Sequence, residues 1–359
     1  MKIKTEILQK MVTKAIQGAS NNKMIPLTSL IGIEFDRGNF IIITTDGSNI
    51  LKINQYIGEM VGLPNFYTIV NAETFSKLVG KTTKKYIELE NKENYLLFTG
   101  NGNYKLEIAI NEEGEMVRFP EVINIEKEAE EIDIKVLKEA LEISKSSVAK
   151  TMEVPCLTGY YIGTDKVIST DRQLVSDLKK ELVKEPLLIS SEMAELLKLI
   201  DEEKVNLLKE DNNLIFYTDT ITISGKELEG KELYPVTAID NLTKLEYSNN
   251  IKVNRQELLN ILDRMSLFVS DYDKNGVFLN FSRDGLFVRS QKSNAEEQIN
   301  IVSDKEPIAF NCLVDIEMLK AQLESLQEEN ITLYYGQDKS IELKEKDTIL
   351  VLSLLEKTE

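Results

Sequence analysis

Two aspartates, Asp46 and Asp171, each follow a threonine at the end of a strand-like run. Paired carboxylates can hold a metal or share acid and base roles, which is the signature of a carboxylate- or metal-dependent enzyme. The rest of the chemical inventory points elsewhere. The chain has 0 histidines, so the commonest general base, the commonest metal ligand and every Ser-His or Cys-His nucleophile pair are absent. Its 2 cysteines, Cys156 and Cys312, lie far apart in sequence and form no ligand cluster. They suit a reducing compartment as small buried residues. No cofactor or metal is implied. The two aspartates also occupy equivalent places in a repeat. An active site seldom needs copies, so repetition argues that both are structural turn residues.

The elements that carry them are meanders. Residues 155–182 read as a strand (157–162), a turn at Gly163-Thr164-Asp165, a strand (166–170), a charged corner and a third strand from Leu174. The turn offers the positive-φ tolerance and side-chain-to-backbone bonds that a short connection needs. Residues 26–57 repeat these parts in order. Pro26 aligns with Pro155, Asp36-Arg37-Gly38-Asn39 with the Gly163 turn, and Thr45-Asp46 with Thr170-Asp171. A weaker copy spans 276–301, with Arg283-Asp284-Gly285 as its turn. Self-similarity at long spacing decides architecture.

A helix precedes each meander, at 2–20, 135–147 and 254–265. The first has Ile7, Leu8, Met11, Val12, Ala15 and Ile16 on one face, with Thr5 as its best cap. A half-unit of strand, helix and further strands follows each meander. The first runs 66–70, 72–79, 86–90, 95–99 and 104–110; the second 187–190, 191–200, 205–209, 214–218 and 220–224; the third 308–311, 315–326, 331–335, 340–344 and 348–354. Residues 111–131 and 228–242 read as linkers, Gly62-Leu63-Pro64-Asn65 as a break and 356–359 as an exposed tail. The expected fold is α+β, with antiparallel sheets and segregated helices. Three tandem domains, 1–125, 126–245 and 246–359, each hold two strand–helix–strands units.

Length and composition agree. The 359 residues are 42% hydrophobic, enough for two or three cored domains. A net charge of −17 argues against a simple basic nucleic-acid binder, although charge can be distributed unevenly. The N-terminus lacks the apolar run of a signal peptide, and the longest apolar run, 349–355, is too short to cross a membrane. A soluble, cytoplasmic protein is expected. The abundance of Lys, Ile, Asn and Glu suggests an AT-rich genome, bacterial or phage.

In the order of these parts the chain resembles the bacterial-type β sliding clamp of DNA polymerase III, along essentially its whole length. The resemblance rests on Ile25-Pro26-Leu27-Thr28 with Ile31-Gly32-Ile33, on Thr45-Asp46, on Leu157-Thr158-Gly159 and Thr170-Asp171, and on the 254–270 helix and loop. Ala309-Phe310-Asn311 and the closing strand 349–355 complete it. It implies a head-to-tail homodimeric ring, helices lining the hole and sheets outside, that slides on duplex DNA and tethers the polymerase. Such a protein is a processivity factor without a catalytic site.

The resemblance also implies three sites. Basic residues on the helix faces and nearby loops would meet phosphates without regard to sequence: Lys10, Lys14, Lys23, Lys77, Lys138, Lys145, Lys150, Lys198, Arg255 and Arg264. A cleft for short peptides of the polymerase and clamp loader would use Thr170, Leu174, Pro235, Val351, Leu352 and Leu354. The subunit contact would join Thr74, Lys77 and Leu78 of one copy to Leu267, Phe268, Glu296 and Glu297 of the other. The chain departs from the family pattern in three places. Pro155 and Cys156 stand where the family has aromatics, Arg172-Gln173 follows the aspartate in place of glycine, and Ser353-Leu354-Leu355 replaces the usual Met-Pro-Met-Arg ending. A different peptide preference follows, as would suit a phage polymerase. Two other readings stand beside this one: the carboxylate enzyme, and a repeat-built phage structural or scaffold protein that assembles without DNA affinity.

Overall fold

The computed structural model of the chain describes residues 1–58, 65–121, 128–270, 272, 274–303, 306–337 and 339–356. The expected break at 62–65 falls largely, and the end of the tail (357–359) wholly, outside the described residues, as do residues 122–127 of the first linker. Among the described residues are seven α-helices: α1 (Thr5–Ala15), α2 (Ala72–Gly80), α3 (Ile134–Ser144), α4 (Ser191–Leu197), α5 (Val236–Thr243), α6 (Arg255–Met265) and α7 (Ile316–Ser325). The chain divides into two compact units. Unit 1 comprises 1–135 and 192–227, and unit 2 comprises 136–191 and 228–359.

Unit 1 is built on an eight-stranded antiparallel sheet in the order Phe66–Asn71, Leu30–Asp36, Asn39–Thr45, Asn49–Tyr56, Ile221–Lys226, Asn213–Tyr217, Lys204–Glu210, Glu130–Asp133. The first meander is therefore welded edge to edge onto strands from far along the chain, with Ile50 opposite Ser224 and Ile53 opposite Ile221. A four-stranded sheet follows sequence order: Lys2–Lys4, Tyr86–Asn91, Tyr95–Thr99, Asn103–Glu107. Helix α1 buries Leu8, Met11, Val12 and Ala15, and packs on α2, which buries Phe75 and Val79. Gly18 lets the chain leave α1 against the sheet, because a Cβ there would lie 2.7 Å from Leu51 Cβ.

Unit 2 repeats the plan. Its eight-stranded sheet runs Leu187–Ser190, Gly159–Ile162, Lys166–Thr170, Leu174–Lys179, Thr348–Ser353, Ser340–Glu345, Asn330–Tyr335, Asn249–Asn254. Leu174 pairs with Leu352 and Val175 with Val351 across the weld. The four-stranded sheet runs Glu296–Ile299, Gly285–Ser290, Gly276–Ser282, Phe310–Asp315. Helices α6 and α7 pack together, each opened by a side-chain cap. Asn254 Oδ1 accepts from Glu257 N–H (2.9 Å), and Asp315 Oδ1 from Glu317 and Met318 N–H. Such caps satisfy donors that a helix start leaves open.

The α+β class and antiparallel sheets stand as expected, and several boundaries differ. The first helix does not begin at residue 2. Lys2–Lys4 is an edge strand on Tyr86–Glu88, and Thr5 turns its hydroxyl to Lys84 O instead of capping. Residues Pro155–Thr158 form a 3-10 turn before the strand that was expected from 157. The positive φ values of the meander turns lie at Arg37, Gly38 and Gly285, whereas the Gly163 turn closes by Gly163 N–H donating to Lys166 O (2.8 Å). The strand expected at 104–110 stops at Glu107, the helix at 191–200 stops at Leu197, and the strand at 308–311 moves to Phe310–Asp315. The 228–242 linker contains α5, and the 111–131 linker ends in the Glu130–Asp133 strand.

Candidate nucleic-acid and partner-docking sites

The two aspartates hold turns. Asp46 Oδ1 accepts from Ser48 N–H (2.7 Å) and Asn49 N–H (2.6 Å); Asp171 Oδ1 accepts from Gln173 N–H (2.9 Å) and Leu174 N–H (2.7 Å). The preceding threonines repeat too. Thr45 and Thr170 each donate to the carbonyl four residues on, Asn49 O and Leu174 O. Each also accepts from the N–H two residues on. Gly47 (φ 103°) and Arg172 (φ 80°) fill the same left-handed position. An aspartate bonded to its own following backbone is a turn device. Among the described residues no cluster of three or more His, Cys, Asp or Glu could hold a metal.

The basic residues share their faces with carboxylates. Lys14 sits 2.5 Å from Asp201 Oδ2 and donates to Leu199 O (3.1 Å). Lys77 pairs with Glu73 one turn back, and Lys198 with Glu195 (3.0 Å). Arg255 is turned inward, with Nε donating to Glu328 O (3.1 Å) and Nη1 to Leu323 O (3.2 Å), so it closes the end of α7. Arg264 grips Glu297 through Nε (2.8 Å) and Nη2 (2.5 Å). That pairing joins a residue expected to face DNA to one expected at the subunit contact. Lys10, Lys23, Lys145 and Lys150 are exposed, and Lys138 is half-buried. Lys23 lies beside Met24, which is 91% exposed.

The expected peptide-cleft residues are mostly interior. Thr170, Leu174, Val351 and Leu352 are buried strand residues, while Pro235 and Leu354 are half-buried. Val351 belongs to a core with Cys156, Ile168, Val175, Tyr234 and Ile239, so its burial serves packing first. Sequence reasoning missed α5, which closes this core with Val236, Ile239 and Leu242. It also missed the ionic ties that hold α5. Lys166 Nζ lies 2.5 Å from Asp240, and Thr243 donates to Asp177 (3.2 Å). Burial pushes the Asp177 carboxyl up, against the pull of Lys166. Burial likewise pushes Glu342 up, although Lys344 lies 2.5 Å away. Burial first of all drives the Tyr234 hydroxyl far above its ordinary range.

The expected subunit-contact residues are at surfaces. In unit 1 Thr74 and Lys77 are exposed and Leu78 half-buried on α2. In unit 2 Leu267 is 79% and Phe268 43% exposed, just past α6, and Glu296 is exposed on an edge strand.

No protein-family model matches the chain, and no curated protein matches it. Solved structures do. The DNA polymerase sliding clamp of Bacillus subtilis is 18% identical, with a TM-score of 0.85 and 99% of each chain covered. The DNA polymerase III beta chain of Streptococcus pneumoniae is 17% identical, with a TM-score of 0.86 and the same coverage. The DNA polymerase III beta subunit of Thermotoga maritima is 15% identical, with a TM-score of 0.83 and 99% of each chain covered. The chain therefore has the fold of these proteins from end to end.

Proposed function

We propose that this chain is a DNA polymerase sliding clamp, a processivity factor with no catalytic site of its own. The observation that carries the proposal is the likeness in fold to sliding clamps over 99% of both chains. The threefold repeat supports the same reading and a division into domains 1–125, 126–245 and 246–359. The conversion of Asp46 and Asp171 into turn devices removes the main support for an enzyme. Two copies would close head to tail into a ring around duplex DNA. Each unit offers an open sheet edge for the purpose, Asn103–Glu107 in unit 1 and Glu296–Ile299 in unit 2. Open edges invite pairing, and Leu267 and Phe268 supply apolar area beside the second.

Held on DNA, the clamp raises the polymerase's effective concentration at the template. Contacts to phosphate would come chiefly from the exposed Lys10, Lys23 and Lys150, with Lys138, Lys145 and the ion-paired Lys14, Lys77, Lys198 and Arg264 beside them. Peptides of the polymerase and clamp loader would dock around Pro235 and Leu354, above buried Val351. The proposed setting is the cytoplasm; among the described residues no helix is long and apolar enough to cross a membrane. The proposal is tested by the length of DNA made per binding event, on a singly primed circular template with the cognate polymerase and loader. Adding the chain should lengthen products several-fold, and unchanged length contradicts the proposal.

A further inference from the structure

Helix α5 packs on a sheet face of unit 2 through Val236, Ile239 and Leu242, against Ile168, Val175 and Val351. Strand register puts a carboxylate on that apolar face. Asp177 stands two residues beyond Val175, opposite Ile168 on one side and Ile349 on the other. It is 5% exposed, and a buried carboxylate is costly unless it is fully paired. Its pairing is incomplete. Oδ1 is buried and has no hydrogen-bond partner among the described residues.

The contact at Oδ2 depends on protonation. Thr243 Oγ1, at the end of α5, lies 3.2 Å from Asp177 Oδ2 and 3.1 Å from Ile239 O. A hydroxyl has a single proton. With Asp177 ionised, Thr243 must choose between the two oxygens. With Asp177 protonated, its O–H donates to Thr243, Thr243 donates to Ile239 O, and both contacts hold at once. The surrounding charges do not rescue the ionised form. Lys166, on the neighbouring strand, sits 2.5 Å from Asp240 of α5, and Asp165 precedes it. Lys179 is exposed, and Lys244 follows α5. Beyond Ile349, Lys344 lies 2.5 Å from Glu342. Burial outweighs the attraction of Lys166, the Thr243 contact and Lys179, and Asp240 adds repulsion, so Asp177 keeps its proton to higher pH than a free aspartate.

We infer that α5 is a strap, fastened to the sheet when Asp177 is protonated and loosened when it is ionised. When α5 lifts, water reaches the carboxyl and its ordinary acidity returns. Opening therefore releases a proton, and rising pH favours it. The window runs from the ordinary carboxylate range up to the raised value of the closed form. Lifting bares Ile168, Val175 and Val351 and frees Pro235 at the start of the helix. The inference rests on unit 2 alone and holds whether or not a peptide docks there.

The test is hydrogen exchange at the α5 amides of the full chain, from about pH 5 to about pH 8, in wild type and Asp177→Asn. Asparagine cannot ionise, and its amide can donate to Thr243 as the protonated acid does. The α5 residues are the same in both proteins, so intrinsic exchange cancels at each pH. The ratio of wild-type to variant exchange should climb severalfold with pH and then level. Lys166→Met removes a charge that favours ionised Asp177 and should move the climb to higher pH. If Asp177→Asn fails to fold, the α6 amides of the wild type, corrected for intrinsic exchange, take its place as the reference. A constant ratio overturns the inference, as does a climb that Lys166→Met moves to lower pH. An equal climb at α6 assigns the effect to unfolding of the whole unit and also overturns it.

Discussion

Replacing Asp171 with alanine tests the structural reading of the repeated aspartates. Asp171 Oδ1 accepts two backbone N–H groups, from Gln173 (2.9 Å) and Leu174 (2.7 Å), and the turn they close holds Arg172 at φ 80°. Hydrogen bonds to a charged group contribute about 1.5–3 kcal/mol each. Water can reach the freed Gln173 amide, which offsets part of the loss, whereas Leu174 is buried. A net cost of about 2 kcal/mol follows, or about thirtyfold in the local opening equilibrium. Hydrogen exchange at the Gln173 and Leu174 amides reads that opening directly. Asp171→Asn keeps an acceptor oxygen and should recover most of the protection. The reasoning is refuted if alanine leaves exchange at both amides unchanged, or if asparagine and alanine are equally damaging.

Three further outcomes are expected. Ile239→Ala, which removes a 3%-exposed side chain from beneath α5, should destabilise unit 2 by about 2–4 kcal/mol in urea unfolding. Burial holds the Glu342 carboxyl above its usual range. Its folded form therefore keeps a proton that the unfolded chain releases, and it costs stability progressively as pH rises through that window. Glu342→Gln should raise the melting temperature at pH 8 more than at pH 4, and an equal gain at both contradicts the assignment. Direct binding to linear duplex DNA should be weak and salt-sensitive. Lys10→Glu with Lys23→Glu should lower the slope of log affinity against log salt by about 2, and an unchanged slope excludes those contacts.

Much of this was legible in the sequence because repetition carries it. The Thr45-Asp46 and Thr170-Asp171 corners and the apolar stripes of α1 and α6 all follow from local spacing. Features that depend on distant partners were hidden. Lys2–Lys4 is a strand only because Tyr86–Glu88 lies beside it. Helix α5 follows Tyr234-Pro235 and reads as linker; it pays its way only through Cys156, Val175 and Val351, brought together by the weld of two strands far apart in sequence. The charge balance of the helix faces was hidden for the same reason. Lys14 meets Asp201 and Arg264 meets Glu297 across long sequence separations, so basic residues with clear periodicity turn out to be partly neutralised.

The claim that the chain works as a ring is tested most directly on circular and linear DNA. The protein is loaded on nicked plasmid with a clamp loader and ATP, gel-filtered, and the plasmid is then cut once. Retention on the circle followed by release on cutting is the predicted result, because a ring held by topology slides off an end. Equal retention on both forms would contradict the account, since ordinary surface affinity does not depend on the ends.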